Sequence, residues 1–266
     1  LSNKLLPFNV SDGNFVEHGT AVLSIMAGLK DDQGTNGIAF NAKVIPLQNY
    51  NYDPLLDHLD KEEATAKCIL RAITLQDVDI IVLENQTSTG SSETFAGTRG
   101  AVRLALLSGI VVVSAAGNYS LELTEEKNDD TDSIIVGALR SNQATADFSN
   151  YGDRVTVGAF GEKLRTLFGP SGAFGSFGGT SGATPQVAAA IALMLEVNPS
   201  LSPKQVKNII EATSLINADN AKVGGLINIP ESLRLAKDFQ ASREEGENTR
   251  RMRREVSRIL TMTTGG

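Results

Sequence analysis

The stretch Gly109-Ile-Val-Val-Val-Ser-Ala-Ala-Gly-Asn118 decides the fold class of this chain. Its apolar core is continuous, which is typical of a parallel strand buried on both faces of a sheet. A second run of this kind, Ile-Ile-Val-Leu, occupies residues 80–83, and further strands are predicted at residues 43–47, 133–139 and 154–159. Segments with helical periodicity alternate with these runs. The sequence therefore predicts an α/β fold with a doubly wound, mainly parallel sheet and helices on both faces.

The composition excludes several classes of protein. Hydrophobic residues make up 41% and charged residues 21% of the 266 residues, which excludes a disordered or coiled-coil chain. The net charge of −7 argues against a nucleic-acid partner, because phosphate neutralisation needs a basic face. No apolar run is long enough for a transmembrane segment. Cys68 is the single cysteine, so an internal disulfide and a cysteine-based zinc site are excluded.

A change in composition divides the chain. Residues 1–237 have the pattern of one α/β domain. Residues 238–266 are strongly charged and rich in arginine between Arg250 and Arg258, so we interpret them as a C-terminal appendage.

Three segments carry residues suited to acyl-transfer chemistry. His18 lies at the predicted entrance of an apolar helix, and Asn118 ends the buried strand. Ser181 lies in Gly178-Gly-Thr-Ser-Gly-Ala-Thr-Pro185, a glycine-rich turn that leads into a helix. A histidine can take the proton of a serine hydroxyl, and an amide can stabilise a tetrahedral oxyanion.

Each of these signals has an ordinary explanation when it is taken alone. A histidine that starts a helix is commonly a cap or a surface residue. A Gly-Thr-Ser sequence commonly forms a simple turn, and Gly-Asn after a strand commonly supplies a positive φ angle. The order His, Asn, Ser at the expected strand and helix ends favours the catalytic interpretation.

Six segments together resemble the subtilisin-like serine peptidases (subtilases), in the order found in that family. The resemblance spans about residues 7–237. The segments are His18-Gly-Thr20, Gly37-Ile-Ala-Phe-Asn-Ala42, Val111-Val-Val-Ser-Ala-Ala-Gly-Asn118, Phe148-Ser-Asn-Tyr-Gly152, Gly178-Gly-Thr-Ser-Gly-Ala-Thr-Pro-Gln-Val-Ala188 and Gly225-Leu-Ile-Asn228.

The resemblance implies a serine endopeptidase that works through an acyl-enzyme, with Ser181 as nucleophile, His18 as general base and Asn118 as oxyanion donor. It implies no cofactor for the chemistry, and a peptide or protein substrate that pairs with the segment after residues 79–83 as an added strand. A propeptide or an inhibitor is a further expected partner, and the family favours an extracellular location. The implied substrate-binding residues are Asn85, Ser114, Ala115, Ala116 and Gly117.

The aspartate of the family's triad has no clear counterpart. In the family it lies on the first strand, a few tens of residues before the histidine, whereas only 17 residues precede His18. Asp12 lies six positions before His18, in a stretch that resembles the loop after that strand. We therefore expect the peptidase domain to be incomplete at its N-terminus and the acid to lie before Leu1, with Asp12 as the alternative. We also expect residues 1–266 alone to fold poorly and to be nearly inactive.

Three other functional classes compete with the serine endopeptidase. A non-catalytic, subtilase-like module that only binds peptide remains open if the acid is absent. An α/β-hydrolase is rejected, because Gly179-Thr-Ser-Gly-Ala183 lacks the second elbow glycine and the histidine precedes the serine. Sedolisin-type peptidases are disfavoured, since they have Glu and Asp in place of His18 and Asn118. The segment Glu84-Asn-Gln-Thr87 departs from the family's Ser-Leu-Gly pattern, so the subsite preference is left open.

A structural calcium site is predicted in the loop of residues 29–35, which resembles a calcium loop of many subtilases. Oxygen donors suit calcium, and they would come from a carboxylate and from backbone carbonyls. The alternative is a solvated acidic turn. The predicted ligands are Leu29, Asp31, Gln33 and Thr35.

Overall fold

The structure is a computed structural model that describes residues 13–30, 35–47, 58–75, 77–124, 130–168 and 173–239 together with residue 256; for residues 13–16 and 58–62 it describes the backbone alone. Its helices and strands alternate along much of the chain. The α-helices are α1 Gly13–Ala27, α2 His58–Thr74, α3 Ala96–Leu107, α4 Thr180–Val197, α5 Pro203–Thr213 and α6 Ile229–Asp238. The strands are β1 Ile80–Leu83, β2 Gln86–Thr87, β3 Gly90–Ser91, β4 Val111–Ala115, β5 Ile134–Leu139, β6 Val157–Phe160, β7 Leu164–Phe168 and β8 Ala173–Phe177.

The main sheet of the described residues is parallel, with the strand order β1-β4-β5-β6. Ile80 lies opposite Val111, Val113 opposite Ile134, and Val136 opposite Val157. Two antiparallel pairs, β2–β3 and β7–β8, lie outside this sheet. The parallel sheet confirms the predicted fold class.

Helices cover both faces of the sheet. Alternate residues of β4 belong to different clusters: Val111 and Val113 pack with α4, α5 and α6, whereas Val112 packs with α2 and α3. This alternation follows from the period of two in a strand. Val256 is buried in the cluster of α2 and α3, and the division into a domain and an appendage stays a prediction.

Local signals explain where two of the helices begin. At the start of α5, the Ser202 hydroxyl accepts a hydrogen bond from the backbone N–H of Gln205, and the side-chain Oε1 of Gln205 accepts one from the backbone N–H of Ser202. This is a capping box, and Pro203 at the first helical position needs no hydrogen-bond acceptor. The Asn228 side chain caps α6 in a similar way, through the Glu231 N–H.

A buried ion-pair network joins the turn before α3 to the sheet. The Glu93 carboxylate accepts hydrogen bonds from the Thr131 hydroxyl at 2.5 Å and the Ser133 hydroxyl at 2.6 Å. Nη2 of Arg154 lies 3.3 Å from the same carboxylate. Glu93 is 6% exposed, so the free energy of the buried charge depends on these donors.

Several predicted element boundaries are wrong. Residues 43–47 form no strand, since only Val44 makes a bridge. Helix α1 begins at Gly13, so His18 lies in its second turn rather than at its entrance. The β7–β8 pair was not predicted, because its residues are mostly half-buried or exposed and show no clear apolar alternation.

Candidate active site

The site lies where parallel strands β1 and β4 end side by side. Leu83 at the end of β1 lies opposite Ser114 of β4, and helix α4 packs against both strands. Ligands of doubly wound sheets bind outside the carboxyl ends of the strands. The predicted residues Asn118 and Ser181 both belong to this edge.

Ser181 is the second residue of α4 and is 8% exposed. The turn before it needs glycine, because Gly179 has a φ of 78°. The backbone around Ser181 is also unusual, since Pro185 lies where the helix would supply a hydrogen-bond donor for the Ser181 carbonyl. The Thr184 hydroxyl donates to the Thr180 carbonyl at 2.7 Å, which holds the same turn.

Thr180 joins Asn118 to this turn. The Thr180 N–H donates to Oδ1 of Asn118 at 2.8 Å, and its hydroxyl donates to the same oxygen at 3.1 Å. The Gly117 N–H donates to the Thr180 hydroxyl at 3.2 Å. Because Oδ1 of Asn118 accepts both bonds, its Nδ2 group is left as a hydrogen-bond donor without a protein acceptor among the described residues.

His18 lies beside the same turn. Its ring contacts Phe177 edge to face, with 5.2 Å between the ring centroids and 80° between the planes. Phe177 ends β8, four residues before Ser181. Burial lowers the pKa of the His18 imidazole below its usual value, so the ring is neutral at neutral pH and can accept a proton.

Helix α1 is held in place by β7. The Leu167 N–H donates to the Ser24 hydroxyl at 3.1 Å. The β7–β8 pair therefore contacts α1 at Leu167 and at Phe177, and the chain then continues into the turn of Ser181.

The described residues supply no acid to His18. No described carboxylate forms an ion pair or a hydrogen bond with its ring, and burial is the cause of its pKa shift. Asp12, the alternative acid, lies outside the described residues.

The predicted substrate-binding residues line the ends of β1 and β4. Ser114, Ala115 and Ala116 are fully buried. Gly117 has a φ of 106°, and a Cβ atom there would lie 2.4 Å from Nδ2 of Asn150. Asn85 donates to the Thr65 hydroxyl of α2 at 2.9 Å, so its side chain is bonded to that helix.

Asn150 shapes the segment that follows β4. Its Nδ2 donates to the Ala116 carbonyl at 2.8 Å. Its Oδ1 accepts from the N–H groups of Tyr119 at 3.0 Å and Leu121 at 2.9 Å. These bonds hold the strand end around Gly117 in one conformation.

Glu84, the residue after β1, was not predicted as a functional residue. The residue as a whole is half-buried, but both carboxyl oxygens are shielded from solvent. Burial raises the pKa of the Glu84 carboxyl well above its usual value, and a hydrogen bond with the Ser181 hydroxyl partly offsets this rise. Neither oxygen has a partner in full hydrogen-bond geometry, so the contact with Ser181 is long or poorly aligned. Its position at the carboxyl end of a buried strand is the signal that could have found it.

A sequence model described as the subtilase family matches residues 9–248. The chain belongs to the subtilase family. It is 34% identical over 229 residues to subtilisin DY of Bacillus licheniformis, a match that covers 82% of this chain and 77% of that protein. It is 32% identical over 219 residues to subtilisin NAT of Bacillus subtilis subsp. natto, covering 80% of this chain and 54% of that protein. The chain thus spans about half the length of subtilisin NAT.

Solved subtilase structures share the fold. The protease domain of PatA, solved as a mutant, has a TM-score of 0.74 and 26% identity, over 90% of this chain and 86% of that one. The PatG macrocyclase in complex with peptide has a TM-score of 0.69 at 20% identity, over 83% and 68% of the two chains, and shows the fold alone. Family and relatives place this subtilase in the class of subtilisin-like serine endopeptidases, which are hydrolases.

The predicted calcium loop of this subtilase is described only at its ends. The Gly37 N–H donates to the Gly28 carbonyl at 3.0 Å, and the hydroxyls of Ser24 and Thr35 lie 2.8 Å apart. Asp31 and Gln33 lie outside the described residues. Among the described residues no cluster of three His, Cys, Asp or Glu side chains could hold a metal.

Two further observations concern Cys68 and membrane-spanning helices. Cys68 is half-buried on α2, and burial raises the pKa of its thiol, which favours the unreactive protonated form. Within the described ranges, no helix combines the length and the apolar character that crossing a membrane requires.

Proposed function

We propose that this subtilase hydrolyses peptide bonds through an acyl-enzyme, with Ser181 as nucleophile, His18 as general base and Asn118 as oxyanion donor. One observation carries the proposal: the segment of residues 177–181 contacts His18 and Asn118 and contains Ser181. Phe177 packs on His18, Thr180 bonds to Asn118, and Ser181 follows at the start of α4.

The geometry supports the following reaction. Ser181 Oγ bonds to the carbonyl carbon of the substrate, its proton passes to His18, and the carbonyl π electrons move to the oxygen. The Nδ2 group of Asn118 donates to that oxyanion, which a preformed donor stabilises without reorganisation. His18 then returns the proton to the leaving amine, and water hydrolyses the acyl-enzyme by the reverse sequence.

A peptide or protein is the proposed substrate. Glu84, Gln86 and Ser114 carry buried polar side-chain atoms without a partner in full hydrogen-bond geometry. Glu84 follows β1, Gln86 begins β2, and Ser114 lies near the end of β4. Unpartnered buried polar atoms are rare in proteins, so their grouping here favours a polar ligand such as a peptide backbone. A propeptide or an inhibitor would bind at the same strand ends, and the extracellular location of the protein is part of this proposal.

His18 needs an acid to orient its ring. We infer that this acid comes from outside the described residues, with Asp12 as one candidate. Replacing Asp12 with Asn should lower kcat by on the order of 10⁴ if Asp12 is the acid. An unchanged kcat would exclude Asp12.

A fluorophosphonate probe tests the nucleophile in the full-length protein. We expect the probe to label the wild-type protein and the Ser176→Ala control, since Ser176 is an exposed serine of β8 near the site. Ser181→Ala should abolish labelling. Labelling that persists in Ser181→Ala contradicts the assignment of Ser181. A folded wild-type protein that binds peptides without labelling or hydrolysis favours the peptide-binding module. That alternative is suggested because no carboxylate of the described residues bonds to His18.

A further inference from the structure

The carboxyl of Glu84 is a titratable group that the proposed reaction does not use. It lies at the carboxyl end of β1, one residue after Leu83, and helix α4 packs against this strand. Its two oxygens are buried without a partner in full hydrogen-bond geometry, and the Ser181 hydroxyl is the neighbouring side-chain group that lowers its pKa. Glu84 therefore lies beside the hydroxyl of the proposed nucleophile.

No charge of the described residues balances an ionised Glu84. Burial is the main cause of its raised pKa, and the Ser181 hydroxyl is the opposing cause. Of the titratable groups on the surrounding helices, His18 of α1 is neutral at neutral pH, and Lys67 of α2 pairs with Glu63 at the surface. The neighbouring strand β4 carries no titratable side chain. A buried carboxyl without a charged partner remains protonated to a higher pH, because its ionised form is unfavourable away from water.

The two forms of Glu84 act differently on Ser181. A neutral carboxyl can donate a hydrogen bond to Ser181 Oγ, which leaves the single O–H of Ser181 free to point at His18. An ionised carboxylate can only accept, so it takes that O–H away from His18. Its negative charge would also oppose the oxyanion that develops beside Ser181.

We propose that Glu84 is a hydrogen-bond partner of the nucleophile and that peptidase activity requires its carboxyl in the neutral form. This inference rests on the proposed function. In the reaction Ser181 still passes its proton to His18, and Glu84 keeps its own proton throughout. The activity is therefore bounded by two groups: it falls on the acid side as His18 gains a proton and on the alkaline side as Glu84 loses one.

The test is the pH profile of kcat/KM for a peptide substrate, measured on the full-length protein. Above the pKa of Glu84 the wild type should lose about tenfold in kcat/KM for each pH unit, as for any essential acid. Glu84→Gln, which stays neutral, should keep a plateau over the same range and leave the acid limb unchanged. Glu196→Gln, an exposed control on α4, should behave as the wild type.

A second measurement does not depend on activity. The infrared difference spectrum between wild type and Glu84→Gln at neutral pH should show the carbonyl band of one protonated carboxylic acid. Absence of this band overturns the proposal, as does an alkaline limb that is missing from the wild type or retained in Glu84→Gln. If one of these results is found but the fluorophosphonate still labels Ser181 normally, the proposed peptidase function is retained and only the role of Glu84 is rejected. A lack of labelling at every pH contradicts the peptidase itself.

Discussion

Replacing Asn118 with Asp separates the bonds of this side chain to Thr180 from its proposed role as oxyanion donor. Oδ1 of Asn118 accepts from the Thr180 N–H at 2.8 Å and from the Thr180 hydroxyl at 3.1 Å. An aspartate keeps an oxygen for both bonds and replaces the Nδ2 donor by a second, negatively charged acceptor. Asn118→Asp therefore preserves the turn of Ser181 and removes the proposed oxyanion donor.

The expected loss of kcat for Asn118→Asp is at least 10²–10³, or about 2.7–4 kcal/mol, the usual cost of one oxyanion donor. KM should change little, because the donor acts mainly on the transition state. The folded state should be as stable as the wild type, since a negative charge at the N-terminus of α4 is favourable by about 0.3–1 kcal/mol.

Asn118→Ala supplies the contrast. It loses the oxyanion donor and also both bonds to Thr180, each of which contributes about 0.5–1.5 kcal/mol to stability. Its melting temperature should fall by about 2–4 °C for each kcal/mol lost, whereas that of Asn118→Asp should not.

Steady-state kinetics and thermal melts of the two variants provide the assay. The control is Asn142→Asp, because Asn142 is an exposed asparagine whose Oδ1 accepts from the Ala144 N–H at 3.1 Å. It should change neither kcat nor the melting temperature. A stable Asn118→Asp protein with the kcat of the wild type refutes the oxyanion role.

Three further predictions concern stability. If the loop of residues 29–35 binds calcium, a chelator should lower the melting temperature, since a ligand at a hundred times its Kd stabilises the folded state by about 2.7 kcal/mol. Asp31→Ala should abolish this response. A melting temperature that neither the chelator nor the substitution changes supports the acidic turn. Glu93→Ala removes the buried carboxylate beside Arg154, whose side chain is 11% exposed and keeps Asp130 at 3.6 Å. In chemical denaturation this should cost up to about 3–5 kcal/mol, the usual loss when one partner of a buried pair is removed. A loss no greater than that of Glu196→Ala contradicts the network. Burial raises the pKa of Glu84 in the folded state, so above the usual carboxyl pKa the unfolded state binds fewer protons than the folded state. The free energy of unfolding of the wild type should therefore fall by about 1.4 kcal/mol per pH unit between the usual and the raised pKa. An equally steep fall in Glu84→Gln would contradict this.

The sheet and the strand ends were predictable from sequence because their signals are local. The apolar runs of β1 and β4 are long enough to require burial on both faces, and the carboxyl ends of parallel neighbours meet at one edge. The position of Ser181 in the first turn of α4 follows from the glycine-rich turn before it. The roles of His18, Asn118 and Ser181 stay predictions.

Other features depend on packing that no local pattern reveals. His18 was expected at a helix entrance, but α1 begins five residues earlier, at Gly13. The contact between His18 and Phe177 joins residues far apart in the chain through a strand pair that lacks an apolar alternation. Glu84 was noticed only as a departure from the family pattern, because its meaning depends on burial beside Ser181.

The β7–β8 pair is a position from which protein engineering could act on the proposed catalytic residues. It contacts α1 at Ser24 and His18 and continues into the chain that carries Ser181. On its outer side the Arg165 guanidinium stacks 4.3 Å from the Phe174 ring centroid, with Phe174 43% exposed. If His18 and Ser181 have the proposed roles, directed evolution on this outer side should change the position of the base relative to the nucleophile. Libraries for a new substrate preference belong instead at the end of β4, around Gly117, since Glu84 is proposed to act on Ser181.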